Sequence, residues 1–206
     1  SFFPSSAREN VFTNYLLGMI VYASINPFFI EAFIWRNMLR ALFRYLLGSI
    51  KTNTFLPKTL EYIDIQAFAF FPNLEKIKLP NSITKIPSAT FNCSKELKEV
   101  YLGDEVTVIG DFAFAGCEEL YRVTLPKNLK YIGEKAFFGC DNLTEIIIPE
   151  GVEIIEKNAF AFSGRLNIYC ALPARPSGWS EDLDYCRIVW NFNKNKKELL
   201  EELSLL

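Results

Sequence analysis

A chain of 206 residues with half of its composition apolar is long enough to bury a sizeable core. Its 22 basic and 24 acidic residues nearly cancel, which argues against a nucleic-acid-binding protein, because such proteins carry strongly basic surfaces. The chain contains no histidine, which excludes histidine-assisted nucleophilic catalysis and histidine-ligated metal sites. Five cysteines, an odd number, are not typical of a closed disulfide framework.

The first 50 residues combine an uncharged segment with a predicted helix. Asn10 to Ile30 carries no charge and is long enough to span a membrane. Phe28 to Leu47 is predicted to be helical, with a basic stripe formed by Arg36, Arg40 and Arg44. Residues 1–50 therefore form either a helical cap on the domain that follows or a membrane-associated segment through residues 10–47. A piece of another domain is the third interpretation.

From about residue 51 the chain repeats itself with a period of 23 residues. The stretch IGDFAFAGCEEL begins at Ile109, and IGEKAFFGCDNL begins at Ile132. The same step relates equivalent residues in five consecutive units: Ile63, Ile86, Ile109, Ile132 and Ile155; Phe68, Phe91, Phe114, Phe137 and Phe160; and Leu74, Leu97, Leu120, Leu143 and Leu166. An uninterrupted period of this length predicts a repeat architecture.

Each repeat unit predicts one short strand and a return turn. In LYRVTLP, Val123 and Leu125 alternate with polar residues and are therefore expected to point inward, and the proline ends the strand. The turn that follows should return Ile132, Ala136 and Phe137 to the core. One unit cannot cover its own apolar face, so stacked units predict a right-handed solenoid with a short parallel sheet along one side.

The repeat resembles a known family. Its pattern L-x-x-I-x-L-P-x-x-I-x-x-I-x-x-x-A-F-x-x-C resembles the 23-residue leucine-rich repeat of the BspA type, and IYCALPARPSGWSEDLDYCRIVWN is similar to the segment that often closes such arrays. The resemblance covers residues 56–192. It departs from the pattern at Thr90, which stands in place of alanine, and at Phe71 and Ser94, which stand in the cysteine column.

The resemblance implies an α/β solenoid of leucine-rich repeats, and the first 50 residues add the helical N-terminal region predicted above. We assign residues 51–192 to the solenoid and its closing loop. The family further implies a recognition or adhesion module without catalysis, displayed at the cell surface or outside the cell. A structural or membrane-attached scaffold, with the repeats as spacer, is the alternative.

The sheet face supplies the candidate binding residues. Two residues of each strand should face solvent, which gives one column of Lys76, Glu99, Arg122 and Glu145 and a second column of Lys78, Tyr101, Thr124 and Ile147. The first column alternates in sign, as stacked strands tolerate, and is either a solvated ion ladder or part of the site. The second carries aromatic and aliphatic residues typical of contact surfaces. We predict that these eight residues bind a protein or glycan partner.

No constellation in the chain predicts catalysis. The paired carboxylates Glu118 with Glu119 and Asp182 with Asp184 fall in predicted turns, where solvated acids are common. We therefore predict a protein that is not an enzyme, with no cofactor, no metal and no nucleic-acid partner.

The cysteines separate into two groups. Cys117 and Cys140 share one column of the repeat, which predicts stacked thiols in an apolar layer, where cysteine behaves as a small hydrophobe. Cys170 and Cys186 bracket the closing loop and are either joined in a disulfide or free.

Residues 193–206, NKNKKELLEELSLL, predict a short amphipathic helix. Leu199, Leu200 and Leu203 lie on one of its faces. A helix this short has little stability alone, so we expect it to pack on the last coil or to fray rather than to bind a partner.

Overall fold

The computed structural model describes residues 52–56, 58 and 60–192 of the chain. The N-terminal segment of residues 1–50, with its predicted helix, and the predicted helix of residues 193–206 lie outside the described residues. Among those described, no helix has the length and apolar character needed to cross a membrane.

The described chain is a β-solenoid of short parallel strands, which confirms the predicted stacking of repeats. The strands are β1 (Thr52–Phe55), β2 (Leu74–Lys78), β3 (Lys85–Ile86), β4 (Glu99–Tyr101), β5 (Val108–Ile109), β6 (Arg122–Thr124), β7 (Tyr131–Ile132), β8 (Glu145–Ile148), β9 (Ile154–Ile155), β10 (Asn167–Cys170) and β11 (Arg187–Val189). A 3-10 helix spans Glu181–Tyr185.

The strands build two walls, whereas the sequence predicted one. The first wall, here called the strand face, consists of a sheet ordered β1-β2-β4-β6 and a second sheet ordered β8-β10-β11. The other wall is a sheet of two-residue strands ordered β3-β5-β7-β9. These short strands contain isoleucines such as Ile109 and Ile132. The repeat pattern placed these residues in the core but did not assign them to strands.

The strand face is interrupted between β6 and β8. Up to β6 the pairing follows the predicted step of 23 residues, with Glu99 opposite Arg122 and Tyr101 opposite Thr124. The next strand, β8, belongs to a separate sheet. Ile147 is therefore not paired with Thr124 by backbone hydrogen bonds, so the in-register ladder of the predicted second column ends at Thr124. Beyond it Tyr169 lies opposite Ile147, one residue short of the repeat step.

The third side of each coil is a series of tight turns, which corrects the α/β assignment among the described residues. Left-handed backbone recurs in two columns with a step of 23 residues: Gln66, Ala89, Phe112, Lys135 and Asn158, and Phe70, Cys93, Gly116, Gly139 and Phe162. Each turn thus contains two residues with positive φ, four positions apart, and residues in this conformation interrupt an α-helix. The N–H of Phe114 instead donates to the carbonyl of Ala136 in the next coil at 2.7 Å.

The coils stack on a ladder of phenylalanine rings. Phe68, Phe91, Phe114, Phe137 and Phe160 lie with successive ring centroids 5.1 to 5.3 Å apart and planes within 10° of parallel. All five are buried. The predicted interior spine is confirmed, and this spacing is within the favourable range for aromatic pairs.

A column of thiols and hydroxyls fastens the phenylalanine turns. The thiols of Cys117 and Cys140 lie 3.2 Å from the carbonyl oxygens of Phe91 and Phe114. The hydroxyls of Ser94 and Ser163 donate to the equivalent carbonyls of Phe68 and Phe137, each at 2.6 Å. Burial raises the pKa of Cys117 and of Cys140, so both remain thiols. The prediction that they pack as core residues is confirmed, and serine in this column fits because it makes the same contact.

Gly103 stands where three neighbouring coils carry Pro80, Pro126 and Pro149. A Cβ atom on Gly103 would lie 2.5 Å from the carbonyl oxygen of Pro80 and 2.9 Å from the Cα atom of Asn81. The coils approach each other too closely here for any larger residue, which accounts for this departure from the repeat.

The closing segment covers the last coil. Trp179 is buried, forms a parallel bridge with Ile155 and donates from its indole N–H to the carbonyl of Val152 at 3.1 Å. The carboxylate of Asp182 accepts a hydrogen bond from the backbone N–H of Asn158, which has no further coil to pair with. Cys170 and Cys186 are both free thiols, so the disulfide alternative is not realised.

Candidate functional site: a groove on the strand face

An open groove of about 1470 Å³ lies where the strand face divides between β6 and β8. Val123 and Thr124 line it from β6, and Ile146 to Ile148 line it from β8. Val123 is only partly buried although it occupies an inward position. The groove therefore follows from the interruption of the sheet, which exposes the edges of two adjacent coils.

Five of the eight predicted binding residues line this groove: Tyr101, Arg122, Thr124, Glu145 and Ile147. The side chains of Tyr101 and Ile147 remain 36% and 38% exposed, so both offer apolar surface to a partner. The other three, Lys76, Lys78 and Glu99, are not among the lining residues. The structure thus brings most of the second predicted column and half of the first into one surface.

Glu99 is buried, in contrast to the solvated position that the alternating column suggested. The residue is 5% exposed, whereas the side chains of Lys76 and Arg122 on the flanking strands are 46% and 60% exposed. Lys76 Nζ lies 2.5 Å from Glu99 Oε1, and Arg122 Nη1 lies 4.0 Å from Oε2. The ion ladder is therefore centred on one shielded carboxylate.

Two tyrosines complete the shell around Glu99. The hydroxyl of Tyr101 donates to Oε2 at 2.5 Å, and the hydroxyl of Tyr121 donates to Oε1 at 2.6 Å. Both tyrosines also line the groove. A buried carboxylate requires such partners, because an ionised group that leaves water without compensation destabilises the fold.

These contacts shift the ionisation of the whole cluster. Hydrogen bonds from Lys76, Tyr101 and Tyr121 lower the pKa of Glu99 to about 2. The same carboxylate raises the pKa of Lys76 and of Tyr121 through their hydrogen bonds to it. The pKa of Arg122 is raised, first by its hydrogen bond to Tyr101. Glu99 is therefore ionised at neutral pH, and Lys76, Tyr121 and Arg122 are protonated.

Sequence reasoning missed two tyrosines in this region, Tyr121 and Tyr169. Tyr121 precedes β6 and was left out because only strand positions were taken into the columns. Tyr169 was left out because the one-residue shift of β10 moves it into the column that contains Ile147. Its ring lies 4.8 Å from that of Phe192, which itself lines the groove. The half-buried ring of Tyr169 thus connects this column to the closing segment through Phe192.

A second cavity of about 750 Å³ lies between the last coil and the closing segment, lined in part by Phe160, Phe162 and Leu183. The Asp182 Oδ1 atom at this cavity is buried and has no hydrogen-bond partner among the described residues. The other oxygen of that carboxylate accepts from Asn158, so we assign Asp182 to closure of the solenoid.

Glu118 and Glu119, one of the carboxylate pairs seen in the sequence, make contacts with the neighbouring coils. Glu118 pairs with Lys95 at 2.7 Å, and Glu119 accepts a hydrogen bond from Asn142 at 3.1 Å, each across adjacent coils. Across the part of the chain that the structure describes, no group of three or more cysteine, aspartate or glutamate residues is placed to hold a metal ion.

Residues 41–167 match the family described as BspA type leucine-rich repeat region, in 6 copies. The chain belongs to this family. The matched residues make up more than half of the chain and begin at residue 41, inside the segment predicted as an N-terminal cap or membrane-associated segment. Proteins of this family are generally surface or recognition modules.

Solved structures similar to this chain include two leucine-rich repeat proteins. A leucine-rich repeat protein from Bacteroides ovatus is 35% identical, with a TM-score of 0.51 over 57% of this chain and 30% of its own. A leucine-rich cell surface protein from Faecalibacterium prausnitzii is 23% identical, with a TM-score of 0.54 over 69% of this chain and 33% of its own, which shows the shared fold alone. The chain thus spans about a third of either protein. No curated protein matches it.

Proposed function

We propose that this chain is a non-catalytic recognition module of the cell surface that binds a segment of a partner protein in the strand-face groove. The observation that carries the proposal is the groove itself, in which exposed Tyr101 and Ile147 stand on a stacked, hydrogen-bonded scaffold. Such a scaffold needs no ordering of a loop when the partner binds, and so avoids part of the entropic cost of association.

The lining of the groove favours a protein partner over a glycan. Its lining combines the aliphatic residues Val123, Leu125 and Ile147 with Tyr101, Tyr121 and Arg122. An apolar centre with aromatic residues and arginine is the composition that protein–protein interfaces enrich. Charges of both signs occur along the rim, with Lys127 and Glu150 in equivalent positions of adjacent coils. The surface therefore offers apolar contact without a strong field of one sign.

Placement at the cell surface is supported by family membership, because proteins of this family are generally surface or recognition modules. Repeat scaffolds suit this role because their stacked coils present an extended binding surface. No cysteine is among the described residues that line the groove, so binding there is expected to be indifferent to reductants.

We expect the double variant Tyr101→Ala, Ile147→Ala to bind a partner roughly 10- to 100-fold more weakly, because both anchors lose apolar contact, as in measured binding hot spots. The partner is first recovered with the full chain from its native surroundings, identified, purified and then titrated by calorimetry. Glu118→Ala, an exposed position outside the groove, is the control and should bind as the wild type does.

Thermal melts of all three proteins separate lost binding from lost folding. Unchanged affinity in a double variant that melts normally would move the site away from this groove. A captured partner whose binding is abolished by glycosidase treatment would identify a glycan ligand and overturn the choice of a protein segment.

A further inference from the structure

Among the four residues of the first predicted column, Glu99 alone is buried. Its two carboxylate oxygens receive four side chains from three consecutive coils: Lys76 and Tyr121 on Oε1, and Tyr101 and Arg122 on Oε2. Two of the four, Lys76 and Arg122, are largely solvated on the outside of the cluster. The carboxylate is thus the common acceptor that joins three neighbouring coils at one end of the groove.

From this geometry we infer that Glu99 is a positioning residue that fixes the side chains of Tyr101 and Tyr121 as a preformed wall of the groove. This role rests on the proposed function, because it concerns the surface on which the partner is held. It assigns to Glu99 an indirect part in recognition, in place of the direct contact that the sequence predicted.

The physical basis is the strength and direction of the two phenol hydrogen bonds. Hydrogen bonds to an ionised acceptor are shorter and about twice as strong as neutral ones, and those of Tyr101 and Tyr121 measure 2.5 and 2.6 Å. Without an acceptor, the two half-exposed rings would sample several rotamers, and a partner would have to order them on binding. Because Tyr101 and Tyr121 come from adjacent coils, one carboxylate sets both rings at once.

The arrangement is specific to this coil. Glu145 is the equivalent of Glu99 two coils later, and it is exposed. Arg122, at the same position of the coil between them, is exposed as well. Tyr101 and Tyr121 likewise have no tyrosine at the equivalent positions one coil later, where Thr124 and Thr144 stand. The repeat pattern therefore does not account for the cluster around Glu99.

Nuclear magnetic resonance of the full chain, with tyrosine rings labelled and no partner present, tests this inference. Tyr101→Phe and Tyr121→Phe assign the two signals. In the wild type we expect slowly exchanging hydroxyl protons for both residues. In Glu99→Gln both protons should exchange rapidly and the phenol of Tyr121 should titrate at lower pH, because the charge that raises its pKa is gone.

Glu118→Gln is the matched control, since it removes one carboxylate of an ion pair between coils outside the groove. It should leave both tyrosine signals unchanged. Tyrosine signals that are the same in folded Glu99→Gln as in the wild type would overturn the positioning role and leave Glu99 a purely structural group.

If Glu99→Gln does not fold, Tyr121→Phe keeps the inference testable. This variant retains the carboxylate and the aromatic ring but loses one hydrogen-bond donor to Glu99. The carboxyl carbon of Glu99 should then titrate at higher pH than in the wild type, and an unchanged titration would overturn the inference. Because none of these measurements uses a partner, their failure is distinguishable from failure of the groove to bind.

Discussion

Replacing Phe114 with alanine is expected to lower the free energy of unfolding by about 3 to 5 kcal/mol, the cost typical of truncating a fully buried aromatic residue. Its ring lies 5.1 Å from that of Phe91 on one side and 5.1 Å from that of Phe137 on the other. The substitution leaves a cavity that cannot collapse, because the backbone of each coil is hydrogen-bonded to its neighbours. Urea unfolding followed by circular dichroism measures the change.

Phe162→Ala provides the control for Phe114→Ala. Phe162 is the same residue type on the same side of the coil, but its side chain is 76% exposed. We expect its replacement to change the free energy of unfolding by less than about 1 kcal/mol, as is usual for exposed sites. A loss below about 1 kcal/mol for Phe114→Ala would contradict the role of the ring ladder in holding the coils together.

Lowering the pH from 6 to about 2 is expected to remove roughly 2 kcal/mol of stability that Glu99 contributes. The folded-state pKa of Glu99, about 2, lies below its ordinary value of 4.5. Its contribution is therefore complete above about pH 4.5 and is lost as the pH falls toward 2. We expect less than the full linkage energy, because Lys76 and Arg122 are largely exposed and solvent screens their attraction.

The measurement is urea unfolding of wild type and Glu99→Gln across this pH range. Other carboxylates titrate in both proteins, so the quantity of interest is the difference between the two curves. That difference should shrink as the pH approaches 2, because Glu99 then becomes protonated in the folded protein. A gap between wild type and Glu99→Gln that is independent of pH would contradict the assigned ionisation of Glu99.

The core could be predicted from the sequence because a fixed period places equivalent residues in equivalent surroundings. Ile109, Phe114 and Leu120 recur at 23-residue steps, and each is buried with its counterparts. Once one unit directs these side chains inward, every stacked copy does the same, and the copies shield one another from solvent. Ser94 and Gly103 differ from the equivalent residues of other repeats. In the structure, the Ser94 hydroxyl replaces the thiol contact, and Gly103 lies where two coils approach closely.

The return turns were predicted, but their left-handed backbone could not be, because this conformation leaves a weak mark on the sequence. Only Gly116 and Gly139 among the left-handed residues of the two turn columns are glycines, whereas Phe112 and Lys135 adopt the same conformation in equivalent places. Hydrogen bonds between coils hold these residues there against their local preference. The α/β class, which came from the family resemblance and not from the residues, is therefore the part of the prediction that these turns correct.

The groove and the Glu99 cluster depend on relations between coils that the columns of a sequence do not record. Alternating charge at Lys76, Glu99 and Arg122 predicted solvated neighbours correctly for the two cations. It could not show that Tyr121, which lies outside the strand columns, covers the carboxylate between them. The break between β6 and β8 is likewise silent in the repeat, since Arg122 and Glu145 keep the regular step.

The most direct test of groove binding is site-specific photocrosslinking of the full chain. A photoreactive amino acid is placed at Thr124, an exposed residue that lines the groove, and in a second protein at Glu118, an exposed residue outside it. Both proteins are irradiated with the identified partner at equal concentration. Groove binding predicts a covalent adduct with the partner at Thr124 and none at Glu118, whereas an adduct at Glu118 with none at Thr124 would contradict it.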